Sequence, residues 1–88
     1  MSWRLEYSRK AIKQLDKIDE VNRHNIARWM HKNIDGCDDP RAHGRALVGN
    51  KAGYWRYRVG KYRVICELHD DRLVVLALEV GHRRTVYR

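Results

Sequence analysis

The side chains best suited to chemistry in this sequence are arginines that alternate with aromatic and aliphatic residues around one Gly-Lys pair. The stretch GYWRYRVGKYRV, residues 53–64, contains Arg56, Arg58 and Arg63. A guanidinium group is permanently charged and binds a phosphate through two parallel hydrogen bonds. Three such groups converging on one surface would form a phosphate clamp. We therefore predict a site for an RNA or DNA backbone.

A second group of candidate residues follows at the end of the chain, in the run VGHRRTVYR. It combines cations with a titratable ring and an aromatic ring: His82, Arg83, Arg84 and Tyr87. Tyr87 offers a flat surface on which an unpaired base can stack. A basic terminal segment is also commonly solvated without further function, so the residues alone leave both interpretations open.

The turn at Gly60-Lys61 decides which of these arginines share a face. Gly at the first central position suits a type II′ hairpin, which places Arg58 opposite Arg63. Directly opposed residues point to the same side of a sheet. The other face is then predicted to be apolar and to contain Trp55, Tyr57, Val59, Tyr62, Val64, Cys66 and Leu68.

The predicted pair of opposed arginines is unfavourable by itself. Two like charges directly across a strand pair cost up to about 1 kcal/mol, unless an anion or an acidic group lies between them. A bound phosphate would relieve the repulsion. Splaying of both side chains into water, or pairing with Glu67 or Glu79, would relieve it as well.

The elements that must position these residues begin with a strand and a helix. Trp3, Leu5 and Tyr7 alternate with polar residues, which predicts a short half-buried strand. Ser8 is placed to cap the helix that follows. The predicted apolar stripe of that helix consists of Ala11, Ile12, Leu15 and Ile18.

A second helix is predicted to begin near Asp19 or Asn22, to run to about Ile34 and to be stopped by Gly36. Its apolar stripe would consist of Ile26, Ala27, Met30 and Ile34. Very few residues separate the two helices, so they should form an antiparallel hairpin.

The remaining segments predict a sheet. Residues 54–59 and 62–68 form the arginine-bearing hairpin, and residues 73–80 are apolar on both faces, as expected of a central strand. The element order is β-α-α-β-β-β. We therefore predict an α+β fold in which a two-helix hairpin packs on a small twisted antiparallel sheet, in a single domain spanning residues 1–88.

Composition narrows the classes of partner. The formal net charge of +8 favours a polyanion such as nucleic acid, an anionic membrane or an acidic protein. The longest apolar run, residues 73–78, is too short to span a bilayer, and the first residues lack the apolar core of a leader. We expect a cytoplasmic protein with no membrane partner. Cys37 and Cys66 lack the spacing of a disulfide framework or zinc ribbon, so no metal or other cofactor is expected.

The chain resembles the RelE/ParE superfamily of toxins from bacterial type II toxin-antitoxin systems, on the RelE side. The resemblance covers essentially the whole chain and rests on the element order, on WRYRVGKYRVI at residues 55–65 and on the terminal VGHRRTVY. It implies a toxin that enters the A site of the 30S ribosomal subunit and cuts messenger RNA without a metal, by attack of the 2′-hydroxyl. It also implies a cognate antitoxin as partner, through which operator DNA would be contacted only indirectly.

The same resemblance implies roles for individual residues. Arg63 would contact the scissile phosphate, Arg83 would stabilise the phosphate or the leaving group, and Tyr87 would activate the 2′-hydroxyl or stack on the base. Arg58, where relatives often have lysine, completes the predicted catalytic set. The predicted RNA contacts are Arg56, Arg58, Lys61, His82 and Arg84.

The general base is left open by the sequence. Arg58 cannot serve, because arginine stays protonated in proteins. Tyr87, with an ordinary pKa of about 10, would need the arginines to lower that pKa, whereas His82, with an ordinary pKa of about 6.5, is chemically better suited. With such poor acid-base groups, alignment by a ribosome-bound substrate would have to supply part of the rate. We therefore expect weak or no cleavage of free RNA.

Two other functions are compatible with the sequence. One is a ParE-like inhibitor of DNA gyrase on the same fold, which would not need RNA-cleaving residues; the combination of Arg63, Arg83 and Tyr87 argues against it. The other is a non-catalytic nucleic-acid-binding regulator, for which positive charge alone would suffice.

Overall fold

The computed structural model describes residues 1–82, in which two helices lie on one side of a five-stranded sheet. The helices are α1 (Arg9–Asp16) and α2 (Glu20–Asn33), and short 3-10 helices cover Pro40–Ala42 and Gly49–Lys51. The strands are β1 (Arg4–Tyr7), β2 (Arg45–Ala46), β3 (Trp55–Val59), β4 (Tyr62–His69) and β5 (Val74–His82). The α+β class and the order of the long elements are confirmed, and β2 is an additional short strand.

The strand order is β1-β5-β4-β3-β2, so β5 is central, as its two apolar faces predicted. One detail differs from the expected antiparallel sheet. β1 runs parallel to β5, which makes the sheet mixed. The backbone N–H of Ser8 bonds the carbonyl of Ala77, and β1 thereby covers the edge of β5. Alternation within a segment predicts a strand but carries no information on the direction of its neighbour.

The predicted register of the β3–β4 hairpin is confirmed. Arg58 lies opposite Arg63, and Tyr57 lies opposite Val64. Gly60 has a φ of +59°, whereas Leu73 is the only non-glycine residue with positive φ in the described part of the chain. A positive φ at the first central residue alone is what a type II′ turn requires.

Both helices begin at predicted capping residues. The Ser8 hydroxyl accepts a hydrogen bond from the N–H of Ala11 at 3.0 Å, and the Asp19 carboxylate accepts one from the N–H of Asn22 at 3.1 Å. Among residues 1–82, neither helix is long and apolar enough to cross a membrane.

The apolar stripes of the helices are narrower than predicted. Ala11 is buried, but Ile12 is 48% exposed. Likewise Ile26 and Met30 are buried in α2, whereas Ala27 is exposed. Neighbouring residues of a helix point about 100° apart, so a residue next to the centre of the contact stripe turns toward water.

The core lies between the helices and one face of the sheet. Its buried members include Ala11, Ile26, Met30, Ile34, Tyr57, Val64, Cys66, Val75, Ala77 and Val80. An irregularity in the β4–β5 register between Ile65 and Cys66 breaks the alternation of β5. Ala77 and Val80 therefore both face the helices although they are three positions apart.

Glu79 lies on the face of the sheet turned away from the helices. It connects β5 to α1 and to the 3-10 helix at Gly49–Lys51. Its carboxylate accepts hydrogen bonds from Nζ of Lys10 at 2.7 Å and from Nζ of Lys51 at 3.4 Å. These bonds, the one from Lys10 above all, hold the pKa of Glu79 below its usual value. A depressed folded-state pKa stabilises the fold above the ordinary glutamate pKa, and this stabilisation is lost as the pH falls through the folded-state value.

Glu79→Gln is accordingly expected to lower the free energy of unfolding by about 1 kcal/mol near neutral pH. The difference from the parent should shrink toward zero in acid, because the parent carboxylate is then protonated as well. Urea unfolding across the acidic range measures both quantities, with Asp71→Asn at an exposed turn residue as the control. A difference that stays constant with pH would contradict an ionic role for Glu79.

Candidate nucleic-acid interface

Four arginines lie together on the face of the sheet turned away from the helices. Arg58 of β3 is opposite Arg63 of β4, and Arg45 of β2 is opposite Arg56 of β3. Because opposed residues share a face, two like-charge pairs lie side by side. We call these four residues the arginine face.

The members of the arginine face differ in burial. Arg45 and Arg58 are exposed and Arg56 is half-buried, whereas Arg63 retains only 7% of its surface. The Nε atom of Arg56 and the Nε and Nη1 atoms of Arg63 have almost no contact with solvent. Arg63 thus faces away from the core, as the register predicts, but does not splay into water. A buried guanidinium attracts an anion more strongly, because less water screens it.

A cleft of about 420 Å³ opens beside the arginine face, over the edge of β3. Its lining consists of Trp29, Gly44, Arg45, Arg56 and Arg58. Trp29 reaches this cleft from α2, and its ring centroid lies 5.8 Å from that of Tyr57 and 6.0 Å from that of His43. The cleft therefore combines an aromatic ring with guanidinium groups.

The loop that forms one wall of this cleft is fixed to β3 by two side-chain hydrogen bonds. Nε1 of Trp55 donates to the carbonyl of His43 at 2.6 Å, and the Tyr57 hydroxyl donates to the carbonyl of Pro40 at 2.9 Å. Burial raises the pKa of Tyr57 well above its usual value, so the phenol keeps the proton that it donates. Arg41 adds a bidentate ion pair with Asp70, at 2.8 and 2.9 Å, which connects the loop to the β4–β5 turn.

Sequence reasoning missed Arg45 and Trp29. Arg45 belongs to a segment without periodicity, and only the strand pairing with β3 places it opposite Arg56. Trp29 falls outside the predicted apolar stripe of α2. One feature of the sequence could have identified Trp29. It directly precedes the buried Met30, and adjacent residues of a helix point about 100° apart, so its ring is turned away from the centre of the helix–sheet contact.

The structure brings Arg56, Arg58 and Arg63 together as predicted. Lys61 is exposed in the turn that joins β3 to β4, at the end of the hairpin that carries these arginines. A contact between Lys61 and RNA stays a prediction.

His82 does not join the arginines. It pairs with Tyr62, and the two ring centroids are 5.8 Å apart in an edge-to-face arrangement. Tyr62 alternates with Arg63 along β4, so His82 lies on the face that carries the helices, and a role in RNA binding stays a prediction. Arg83, Arg84 and Tyr87 lie outside the described residues, and their roles stay predictions too.

The arginine face can bind and stabilise negative charge, but the carboxylate diagonal to Arg63 on β5 is only a weak base. Glu79 is diagonal to Arg63, since it pairs with Ile65. Its bonds to Lys10 and Lys51 and its lowered pKa make it a poor proton acceptor. Within the same residues, no group of three or more His, Cys, Asp or Glu side chains is placed to hold a metal ion.

Comparisons with known proteins bear on this geometry. The family model of the ParE toxin of type II toxin-antitoxin systems (parDE) matches residues 5–87. A protein of Escherichia coli described as a putative RelE-like toxin is 25% identical over 84 residues, which are 94% of this chain and 85% of that protein.

Solved structures share the fold. A chain of the toxin-antitoxin complex RelBE2 from Mycobacterium tuberculosis superposes with a TM-score of 0.84 at 22% identity, over 94% of this chain and 93% of that one. The isolated RelE toxin of E. coli superposes with a TM-score of 0.73 at 21% identity, over 98% and 92%. The fold is thus shared with a chain of a toxin-antitoxin complex and with an isolated toxin.

Proposed function

We propose a specific activity for this chain, which belongs to the ParE toxin family of type II toxin-antitoxin systems: ribosome-dependent cleavage of messenger RNA. The chain is a toxin of the RelE/ParE superfamily. The observation that carries the finer proposal is the arginine face, where two opposed arginine pairs lie side by side and one member, Arg63, is buried. Cleavage of this kind would stop translation.

Attack of a ribose 2′-hydroxyl on the neighbouring phosphate passes through a phosphorane that carries more negative charge than the starting diester. Arg58 and Arg63 repel each other in the free protein. That repulsion is relieved most when the charge between them is greatest. The pair therefore binds the transition state more strongly than the substrate, which is the condition for raising the rate.

Proton transfer is the weaker part of this mechanism. Tyr87, ionised to the phenolate, would accept the proton of the 2′-hydroxyl while the 2′-oxygen bonds to phosphorus. The bond from phosphorus to the 5′-oxygen then breaks, and Arg83 would stabilise that oxygen until it takes a proton from solvent. A tyrosine is a poor base near neutral pH, so positioning of the RNA by the ribosome would supply part of the rate. This would account for the proposed dependence on the ribosome, and the proposed place of action is accordingly the cytoplasm.

The proposed partner besides the ribosome is a cognate antitoxin. Relatives of this fold occur in complexes named for a toxin and its antitoxin, from M. tuberculosis and from Pyrococcus horikoshii. An acidic or amphipathic antitoxin segment would neutralise the charge of +8 and cover the arginine face.

Mapping the 5′ ends of cellular messenger RNA after induced expression tests the proposed activity. We expect new ends inside translated reading frames, in a fixed register with the codons, and none in untranslated regions or in ribosome-free RNA. The register follows from positioning in the ribosomal A site. Growth arrest without new RNA ends would contradict the proposal.

The family match favours one second candidate, inhibition of DNA gyrase, because the matching family is named for ParE. Such an activity would need the positive surface but not the opposed pair of Arg58 and Arg63. Supercoiling of a plasmid by purified gyrase in the presence of the protein distinguishes the two. Loss of supercoiling together with intact messenger RNA would favour the gyrase inhibitor.

A further inference from the structure

Trp29 lies between two basic clefts. On one side it lines the cleft over β3 together with Arg45, Arg56 and Arg58. On the other side it lines a second cleft, of about 490 Å³, between α2 and the end of β3. That cleft is formed by Asn25, Arg28, Trp29, Lys32, Asn33 and Val59. One indole is thus shared by two adjoining depressions.

The charges of the two clefts have the same sign. Arg28 and Lys32, four positions apart, are exposed on one side of α2, and Arg45 and Arg58 are exposed on the other side of Trp29. Neither lining contains a carboxylate. Arginine or lysine side chains thus line both clefts without a carboxylate among them, which favours binding of an extended polyanion.

The indole itself is held in place without being enclosed. Its ring lies at 49° to the ring of Tyr57, which is fully buried and anchored to Pro40, and edge-on to His43. Trp29 is half-buried and therefore keeps accessible surface between the clefts. A fixed aromatic surface flanked by cations is the arrangement by which proteins bind single-stranded nucleic acid, with bases on the ring and phosphates on the cations.

We propose that Trp29 is a base-stacking residue in a track for single-stranded RNA, which leads from the arginine face over the edge of β3 to Arg28 and Lys32. The RNA as ligand rests on the proposed function. The track itself goes beyond that function. It predicts that a nucleotide near the cleaved bond is held by stacking of its base on Trp29. An acidic protein segment would use the charges of both clefts but would not depend on the aromatic ring.

Binding of a short, unstructured, fluorescently labelled 2′-O-methyl RNA to the purified full chain tests this track. The probe lacks the free 2′-hydroxyl, so it cannot be cut by the proposed reaction and reports binding alone. Trp29→Leu is expected to weaken binding about tenfold, because stacking on one base is lost. Trp29→Phe keeps a stacking ring and should stay within about threefold of the parent.

The contribution of the positive charges is tested by the salt dependence of probe binding. Arg45→Gln is expected to reduce the slope of log affinity against log salt by about 0.7, the value for one phosphate contact on a single strand. Arg72→Gln, at an exposed position of the β4–β5 turn, is the matched control and should leave the slope unchanged. Equal affinities for Trp29→Leu and Trp29→Phe at equal thermal stability would overturn the proposal, as would equal slopes for the two arginine variants.

The test of the RNA track can fail or succeed independently of the test of the proposed nuclease activity. Loss of probe binding in Trp29→Leu without any messenger RNA cleavage by the parent would support the track and contradict the nuclease. Cleavage by the parent, with Trp29→Leu identical to Trp29→Phe in probe binding and in cut positions, would support the nuclease and contradict the track.

Discussion

Arg63→Met is expected to reduce cleavage of ribosome-bound messenger RNA by a factor on the order of a hundred to a thousand, while the protein stays folded. The factor is typical of removing one preorganised group that stabilises transition-state charge. Arg63 is the buried member of the arginine face, at 7% exposure, and lies opposite Arg58. Little water surrounds its guanidinium, so we expect a phosphate that reaches it to be bound more strongly there than at an exposed arginine.

The stability of the same variant distinguishes a functional from a structural role. Methionine fills a similar volume without a charge, so the variant leaves neither a large cavity nor an unpaired charge of its own at this position. Loss of the repulsion between Arg63 and Arg58 acts in the same direction. We expect the free energy of unfolding to remain within about 1 kcal/mol of the parent or to rise.

One further variant serves as a control for this prediction. Arg63→Lys keeps the charge but loses the planar fork, so it should retain part of the activity. Arg63→Ala is less informative, because it would leave a cavity at a buried position. Cleavage is measured by primer extension on a translated message, and stability by urea unfolding. Full activity of Arg63→Met would show that Arg63 does not act on the phosphate, and failure of this variant to fold would show that Arg63 is required for the structure.

The hairpin could be predicted from the sequence because its determinants are local. Gly60 alone fixes the turn type, and the turn fixes the pairing of Arg58 with Arg63. The caps at Ser8 and Asp19 are local in the same sense, since each side chain bonds a backbone N–H three residues later.

The composition of the site could not be predicted, because it depends on contacts distant in sequence. Arg45 joins the arginine face only through β2, a strand of two residues that is too short to show alternation. Trp29 reaches the same cleft through the packing of α2 on Tyr57. Neither the pairing of β2 with β3 nor the packing of Trp29 on Tyr57 produces a periodic pattern in the sequence.

The position of His82 shows how one local irregularity changes a site. Val75 and Ala77 face the core, so strict alternation along β5 would place His82 on the arginine face. The register shift at Ile65/Cys66 instead places Val80 in the core and His82 beside Tyr62. The imidazole thereby leaves the face where a general base would act, which increases the dependence of the proposed reaction on Tyr87 and on the ribosome.

Gly44→Ala is expected to lower the free energy of unfolding by about 2 to 4 kcal/mol. Gly44 has a φ of +76°, a conformation that strains any residue with a Cβ. A Cβ atom would also collide with the carbonyl oxygen of Arg56 and would lie 2.9 Å from Cδ1 of Tyr57. These atoms cannot move easily, because Arg56 belongs to a paired strand and Tyr57 is fully buried.

Gly53→Ala is the matched control for this effect. Gly53 has a φ of +96°, but a Cβ there would meet nothing within 4 Å. Its substitution therefore introduces backbone strain alone, at a cost of about 1 kcal/mol. Gly44→Ala should lose more free energy of unfolding than Gly53→Ala, and this excess measures the cost of the close contact between the loop and β3. Urea unfolding of both variants gives the difference. Equal losses would mean that the loop can lift away from β3 without cost.

The same pair of variants connects the fold to the proposed RNA track. The loop leads directly into β2, which carries Arg45, so the position of the loop on β3 sets the distance between that guanidinium and Trp29. At a temperature where both variants are folded, Gly44→Ala should therefore bind the 2′-O-methyl RNA probe as weakly as Arg45→Gln, while Gly53→Ala binds like the parent. Parent-like affinity in a folded but destabilised Gly44→Ala would show that the cleft binds RNA without a fixed wall.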